Sequence, residues 1–367
     1  MKNTFGNSLT ITLFGESHGA AIGCVIDGIA PGIRVDCDYI KLCLAKRAAR
    51  SDISTPRQEA DEPEFLSGVK NGYTEGTPIC IVIRNTNTKS SSYTPYENTP
   101  RPSHADFTAE CKYYGYQDKA GGGHFSGRIT APLVAAGALI RCALSDIGIE
   151  IGTHIKVLHG KEDRAFGNYN EDIEALMRSD FPALDVEAAK EMKEEILRAK
   201  AELDSVGGVL ETVITGVRPG VGEPWFDTVE SMLSHAMLAI PGIKGIEFGD
   251  GFAIANMRGS EANDPFKFDN ANVVTEKNSN GGINGGITNG MPIIFRLAVK
   301  PTPSIAREQK TVDLSTGECV TISIGGRHDP AIIHRASAVV DAMSAIVIAD
   351  LLVTRYGTDF LRKGEKK

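Results

Sequence analysis

Apolar residues in this chain recur at two different periods, and the segments carrying each period are mixed without strict alternation. Residues 8–14, SLTITLF, 77–84, TPICIVIR, 207–217, GGVLETVITGV, and 291–299, MPIIFRLAV, are short and rich in β-branched residues, with Gly, Pro or Asn at their ends, so they are predicted strands. Residues 38–49, 129–146, 185–204, 227–239 and 333–355 carry apolar residues three and four apart and are predicted helices. The 185–204 helix is dense in Glu, Lys and Ala, with Val186, Met192, Ile196 and Leu197 along one side, which describes a solvated amphipathic helix. Mixed, non-alternating elements agree with an α+β chain.

One echo runs through the sequence. VIDGIAPG at 25–32 and VITGVRPG at 213–220 share V-I-x-G-[IV]-x-P-G, and a helical pattern follows each. Two pseudo-symmetric halves would produce this, although short Gly/Pro turn chemistry also recurs by chance. No composition shift marks a linker, so residues 1–367 are expected to form one compact unit.

Composition narrows the class. Hydrophobic residues at 41% and charged residues at 23% are those of a globular chain. The N-terminus lacks a continuous apolar core with a small-residue cleavage site, and no stretch approaches about 18 uninterrupted apolar residues, so a cytoplasmic protein without a membrane span is expected. The seven cysteines are odd in number, far apart and free of CxxC pairs, which suggests neither a disulfide framework nor a thiolate zinc site. A net charge of −8 with no long basic block argues against a nucleic-acid partner. Arginines and histidines instead concentrate in a few glycine-rich stretches, which points to a pocket for a small anion.

Three stretches carry chemistry. Gly15-Glu16-Ser17-His18-Gly19 follows a predicted strand and matches G-x-S-x-G, the nucleophile elbow of serine hydrolases. A hydrolase using Ser17 is therefore the alternative reading, but the residues that follow look like turn and strand where an elbow needs a helix. The second stretch is Arg101-Pro102-Ser103-His104-Ala105-Asp106, then Ala120-Gly121-Gly122-Gly123-His124-Phe125-Ser126-Gly127-Arg128 before a predicted helix. Glycines before a helix start let backbone N–H groups approach an anion closely. The third runs from Asn280-Gly281-Gly282-Ile283-Asn284-Gly285-Gly286 through Lys300-Pro301-Thr302-Pro303-Ser304 to Gly325-Gly326-Arg327-His328-Asp329-Pro330. Its Arg-His-Asp triplet offers charge clamping and proton transfer. The histidines have no HxxxH spacing and no cysteine pairs beside them, so no metal site is expected.

Taken in order, FGESHG with VIDGIAPG, RPSHAD, AGGGHFSGR, GGINGG, KPTPS and GGRHDP resemble the signature stretches of the chorismate synthase family, from about residue 4 to residue 355. The resemblance implies a helical layer sandwiched between antiparallel sheets, a homotetramer, and a 1,4-anti elimination of phosphate from 5-enolpyruvylshikimate 3-phosphate giving chorismate. It implies reduced FMN as cofactor, with NADPH as a possible reductant. Residue by residue, it implies His18 as proton donor to the departing phosphate and His104 as partner of the flavin N1 and O2 side. Asp329 is implied as the carboxylate near flavin N5 that assists removal of the C6 proton. Ser17, Arg47, Arg101, Arg128 and Arg327 are implied to meet the substrate, whose phosphate and two carboxylates suit arginine's bidentate fork. His124, Phe125, Ser126, Pro241, Gly242, Gly285, Lys300, Pro301, Thr302, Pro303, Ser304 and Arg327 are implied to cradle FMN. NADPH contacts are implied at Arg47 and Arg50. The chain departs from the common family pattern in Lys46-Arg47-Ala48-Ala49-Arg50, in Ser103, and in His124-Phe125-Ser126. The stretch 87–100 is the candidate mobile loop.

Overall fold

A computed structural model of the chain describes residues 2–49, 53–54, 61–86, 98–270, 272–325 and 328–362. Arg50, Arg327 and residues 87–97 of the candidate loop lie outside the described residues.

Two five-stranded antiparallel sheets enclose a layer of helices. The first sheet is ordered Thr4–Phe5, Thr10–Gly15, Ala21–Asp27, Ile79–Arg84, Pro63–Ser67. The second is ordered Ile243–Phe248, Ile293–Val299, Gly208–Thr215, Glu150–Leu158, Lys161–Glu162. Between them the Thr130–Asp146 helix packs on the inner strands of the first sheet and on the Ile333–Tyr356 helix, which covers the Glu150–Leu158 and Gly208–Thr215 strands. Helices Cys37–Arg47 and Val229–Ala239 flank the long helix. The expected sandwich of helices between antiparallel sheets is the fold observed.

The central helices are apolar on every side because every side is covered. Both are long and apolar enough to cross a membrane, yet 83% and 94% of their most apolar windows are buried inside the protein, which makes them core helices. Small side chains bring them together. A Cβ at Gly137 would overlap the Cα and Cβ of Ala342 on the facing helix, so this crossing tolerates no side chain. Of the two carboxylates in the long helix, Asp341 pairs with Arg141 (3.0 Å), and Asp350 is satisfied by backbone N–H groups of Asn7 (2.9 Å), Ser8 (2.7 Å) and Leu9 (2.9 Å). That contact ties the start of the Thr10–Gly15 strand to the core.

The sequence echo has a structural counterpart. Each copy ends a central strand, Ala21–Asp27 or Gly208–Thr215, at a glycine with positive φ, Gly28 (87°) and Gly216 (78°). Each glycine sits against the carbonyl of a neighbouring segment, Ser8 or Gly148, where a Cβ would collide. Each chain then runs into a helix flanking the core, Cys37–Arg47 or Val229–Ala239.

The predicted strands and helices all occur, with ends shifted by at most three residues. Helices Asp106–Tyr113 and Tyr169–Arg178 and the Glu150–Leu158 strand are additional. That strand buries Thr153 and His154 among its apolar residues, which disrupts the pattern a strand would show in the sequence. The described cysteines are all free thiols.

Candidate active site

The first element of the site is a tight turn. The Thr10–Gly15 strand turns through residues 16–20 and returns antiparallel as Ala21–Asp27, with the Gly19 amide donating to the Glu16 carbonyl at 3.0 Å. The glycine run lies on this turn. Ser17 N–H donates to the Gly123 carbonyl (3.1 Å), and His124 Nδ1–H donates to the Gly15 carbonyl (2.8 Å). Gly121, Gly122 and Gly123 all have positive φ, and a Cβ on Gly121 would lie 2.5 Å from His18 Nε2 and 3.0 Å from Ser17 Oγ. Only glycine lets the backbone come this close to the His18 ring. Ser17 is fully buried, and its Oγ has no hydrogen-bond partner among the described residues. A strand follows the serine where a nucleophile elbow requires a helix, and no base touches Oγ among the described residues, so the G-x-S-x-G match lacks a hydrolase's geometry.

The second element is a triad within RPSHAD. Asp106, at the start of its helix, accepts from the Arg101 backbone N–H (3.0 Å), Arg101 Nε (2.8 Å) and Nη2 (2.8 Å), and His104 Nδ1 (2.6 Å). Burial alone would raise the Asp106 pKa, but hydrogen bonds from Arg101 and His104 outweigh it and hold the carboxyl well below its usual range. With Nδ1–H donating to the carboxylate, His104 presents Nε2 beside Gly122, where a Cβ would lie 3.8 Å away. His104 is thus held as an oriented hydrogen-bonding group.

The third element joins the distant KPTPS stretch to this triad. Lys300 Nζ donates to the Ser103 carbonyl (2.6 Å), its backbone N–H donates to Gly242 (2.9 Å), and Arg101 Nη1 reaches Ser304 Oγ (3.4 Å). Desolvation, with Lys244 nearby, lowers the Lys300 pKa. Ser103 adopts φ 59°, a conformation that glycine takes more readily. Thr302 Oγ1 is buried without a partner among the described residues.

The fourth element is a buried cluster of arginines. Arg47 and Arg128, 5% and 8% exposed, both pair with Asp61, Arg47 Nη2 lying 2.6 Å from Oδ2 and Arg128 Nη1 on Oδ1. Burial would raise the Asp61 pKa, but the two guanidiniums lower it, keeping the carboxylate ionised. Arg128 Nε donates to Asn85 Oδ1 (3.0 Å), and Asn85 Nδ2 donates to the carbonyls of Glu16 (3.0 Å) and Gly19 (2.9 Å) at either end of the His18 turn. On the other side, Arg335 donates from Nε to the Arg47 carbonyl (2.8 Å) and from Nη1 to Asp329 Oδ2 (2.6 Å). His328 Nε2–H is spent on the Ile324 carbonyl (3.1 Å), and burial pushes its pKa down.

The structure therefore brings together Ser17, His18, His124 and Gly121 on one face. It joins Arg101, His104, Lys300, Ser304 and Gly242 on a second, and Arg47, Arg128 and Asp329 through shared partners on a third. Phe125 and Ser126 follow His124, with Phe125 edge-on to Tyr113 (6.0 Å between centroids) and Ser126 Oγ accepting from Arg128 N–H. Pro241 adjoins Gly242 and is exposed, and Pro301 and Pro303 flank Thr302. Gly285 is not joined to these. It lies in an open turn whose neighbour Gly286 accepts from Val229 N–H, at the start of the Val229–Ala239 helix, whereas Gly242 follows the helix end about 16 Å along the axis. Lys46 also points away, donating to the carbonyls of Leu176 (2.9 Å) and Ser179 (2.7 Å). Sequence reasoning missed Asp61, Asn85, Asp106 and Arg335. Only Asp106 had a signal, since it lies two residues beyond His104 in the same motif.

A family model described as Chorismate synthase matches residues 9–353. The chain belongs to the chorismate synthase family. It is 45% identical to the Thermococcus kodakarensis chorismate synthase over 351 residues, covering 95% of this chain and 97% of that protein. It is 46% identical to the Pyrococcus abyssi chorismate synthase over 351 residues, with the same coverage, and 46% identical to one from Dehalococcoides mccartyi over 353 residues, covering 96% of each. Among solved structures, one described as a crystal structure of chorismate synthase superposes with a TM-score of 0.76 at 30% identity, covering 98% of this chain and 96% of the other. Membership makes the chain a carbon–oxygen lyase of aromatic amino-acid biosynthesis.

Proposed function

We propose that this chain removes phosphate from 5-enolpyruvylshikimate 3-phosphate by 1,4-anti elimination to give chorismate, the last step of the shikimate pathway, with reduced FMN bound beside the substrate. The observation that supports the reading is the convergence of the glycine run on the His18 turn, which Asn85 ties to the buried Arg128–Asp61–Arg47 cluster. The residues fit a flavin. Ser17 Oγ and Thr302 Oγ1 are buried polar atoms without hydrogen-bond partners among the described residues. Reduced flavin, when bound, supplies electron density to the substrate transiently and recovers it, so there is no net redox change.

His18 gives its proton to the departing phosphate, and Arg47, Arg101, Arg128 and Arg327 bind the phosphate and carboxylates. His104, its Nδ1 proton held by Asp106, offers Nε2 to the flavin edge. Asp329, held by Arg335, assists removal of the C6 proton. His124, Phe125, Ser126, Pro241, Gly242, Gly285 and Lys300 through Ser304, with Arg327, surround the flavin. Residues 1–367 act as one unit in a cytoplasmic homotetramer. Exposed apolar side chains, including Trp225, Phe226, Phe252, Phe266 and Phe268, support self-association. Because Gly285 stands a helix length from Gly242, its flavin contact belongs to an extended or shared site. NADPH serves as reductant, with contacts at Arg47 and Arg50.

The test is anaerobic incubation of the protein with 5-enolpyruvylshikimate 3-phosphate and either reduced or oxidised FMN. Chorismate forms only with reduced flavin. Product formation with neither flavin state, or covalent labelling of Ser17 by a fluorophosphonate, would reject the lyase chemistry.

A further inference from the structure

Arg47 and Arg128 come from different parts of the fold, a helix terminus and the turn before the Thr130–Asp146 helix, and both guanidiniums end on one carboxylate. Asp61 is itself 4% exposed at its side chain and uses Oδ2 for Arg47 and Oδ1 for Arg128. A carboxylate divided in this way fixes the separation and tilt of two forks that are otherwise long and rotatable. The fixed pair is anchored at both ends, by Asn85 to the carbonyls of Glu16 and Gly19 around His18, and by Arg335 through the Arg47 carbonyl to Asp329. Among the described residues the cluster sets Arg47, Arg128 and Arg335 against Asp61 and Asp329.

We propose that Asp61 is a positioning residue that presets Arg47 and Arg128 as one anion-binding unit in register with His18. This rests on the reading of Arg47 and Arg128 as contacts to the substrate's anionic groups. Positioning and simple charge balance make opposite predictions. If Asp61 only offset charge, neutralising it would make the pocket more positive and tighten anion binding. If it positions, Asp61→Asn leaves one carbonyl oxygen for two guanidiniums and turns an amide NH2 toward the other arginine, so the pair loses its geometry and anions bind more weakly.

The experiment compares the full-length wild type, Asp61→Asn and Asn85→Ala in two assays: KM and kcat for 5-enolpyruvylshikimate 3-phosphate with reduced FMN, and the Kd of inorganic phosphate for the flavin-loaded protein by calorimetry. Asp61→Asn is expected to raise KM and the phosphate Kd together by about ten-fold or more, as one good charge-assisted contact is worth. Asn85→Ala frees Arg128 Nε without removing a charge and is expected to weaken phosphate by several-fold, which keeps the test intact if Asp61→Asn does not fold. A purely structural role would lower the folded fraction while leaving KM and the phosphate Kd of the folded protein unchanged, and would overturn the proposal. Unchanged or tighter phosphate binding would do the same. An inactive wild type that still binds phosphate would overturn the lyase chemistry and leave Asp61 to be judged on the phosphate Kd alone.

Discussion

Replacing Asp106 by Asn probes the triad that holds His104. The carboxylate accepts two donors on each oxygen, Arg101 N–H and Nε on Oδ2 and Arg101 Nη2 with His104 Nδ1 on Oδ1. An asparagine keeps one accepting oxygen and sets its NH2 against donors on the other side, so two charge-assisted bonds are lost. Such bonds are worth about 1.5–3 kcal/mol each when buried. Because the Asp106 side chain is 26% exposed, the low end applies, and a total loss of about 2–3 kcal/mol is expected. Acid has a related effect. The folded-state pKa of Asp106 is depressed, so its contribution to stability is present above the unfolded-chain pKa of about 3.9 and is lost as pH falls below that value. Without the carboxylate, His104 is free to exchange tautomers, and kcat/KM is expected to fall on the order of 10–10²-fold. Urea unfolding at pH 7 and pH 3 with anaerobic turnover would measure all three effects. A variant as stable as wild type at pH 7, with turnover within about three-fold, would refute this role for the triad.

Three further outcomes are expected. His18→Ala should keep fold and FMN binding yet lose on the order of 10²–10⁴ in kcat if the imidazole transfers a proton, and near-normal turnover in flavin-saturated protein would remove His18 from the mechanism. Gly137→Ala gains about 1 kcal/mol of helix propensity but forces a methyl into Ala342, an overpacking cost of up to about 3 kcal/mol; a lowered urea midpoint is expected, and a raised one would show that the helix crossing relaxes freely. His334 is buried against Ser54 Oγ (2.8 Å) and burial pushes its pKa down to about 3. The unfolded chain therefore binds a proton that the folded protein refuses between about pH 6.5 and 3, and folding weakens by roughly 1 kcal/mol for each pH unit lost in that window. His334→Asn should flatten this part of the acid slope, and an unchanged slope would assign it to other groups.

The legibility of the sequence followed what is local. Strands such as Thr10–Gly15 and Ile293–Val299 and the two core helices declared themselves through unbroken apolar patterning bounded by Gly, Pro or Asn. The Glu150–Leu158 strand did not, because it pairs Thr153 with Thr212 across the sheet and buries His154. In the site, His18, His104 and the glycine run were readable because each lies in a compact Gly-, His- or Arg-bearing stretch, and His104 has its partners Arg101 and Asp106 within the same few residues. Asp61, Asn85 and Arg335 were not. Asp61 stands in a charged stretch with no periodicity, and its role exists only because Arg47 and Arg128, 14 and 67 residues away, arrive on it in the fold. The same applies to Asp350, whose carboxylate in an apolar helix is explained only by the three amides near the N-terminus.

The most direct test of the central claim is a stoichiometry. Under anaerobic conditions, chorismate, inorganic phosphate and the flavin redox state are followed together after mixing the protein and reduced FMN with excess 5-enolpyruvylshikimate 3-phosphate. The account predicts chorismate and phosphate in equal amounts over many turnovers, with the flavin still reduced at the end. Phosphate released without chorismate, or flavin oxidised in proportion to product, would contradict it.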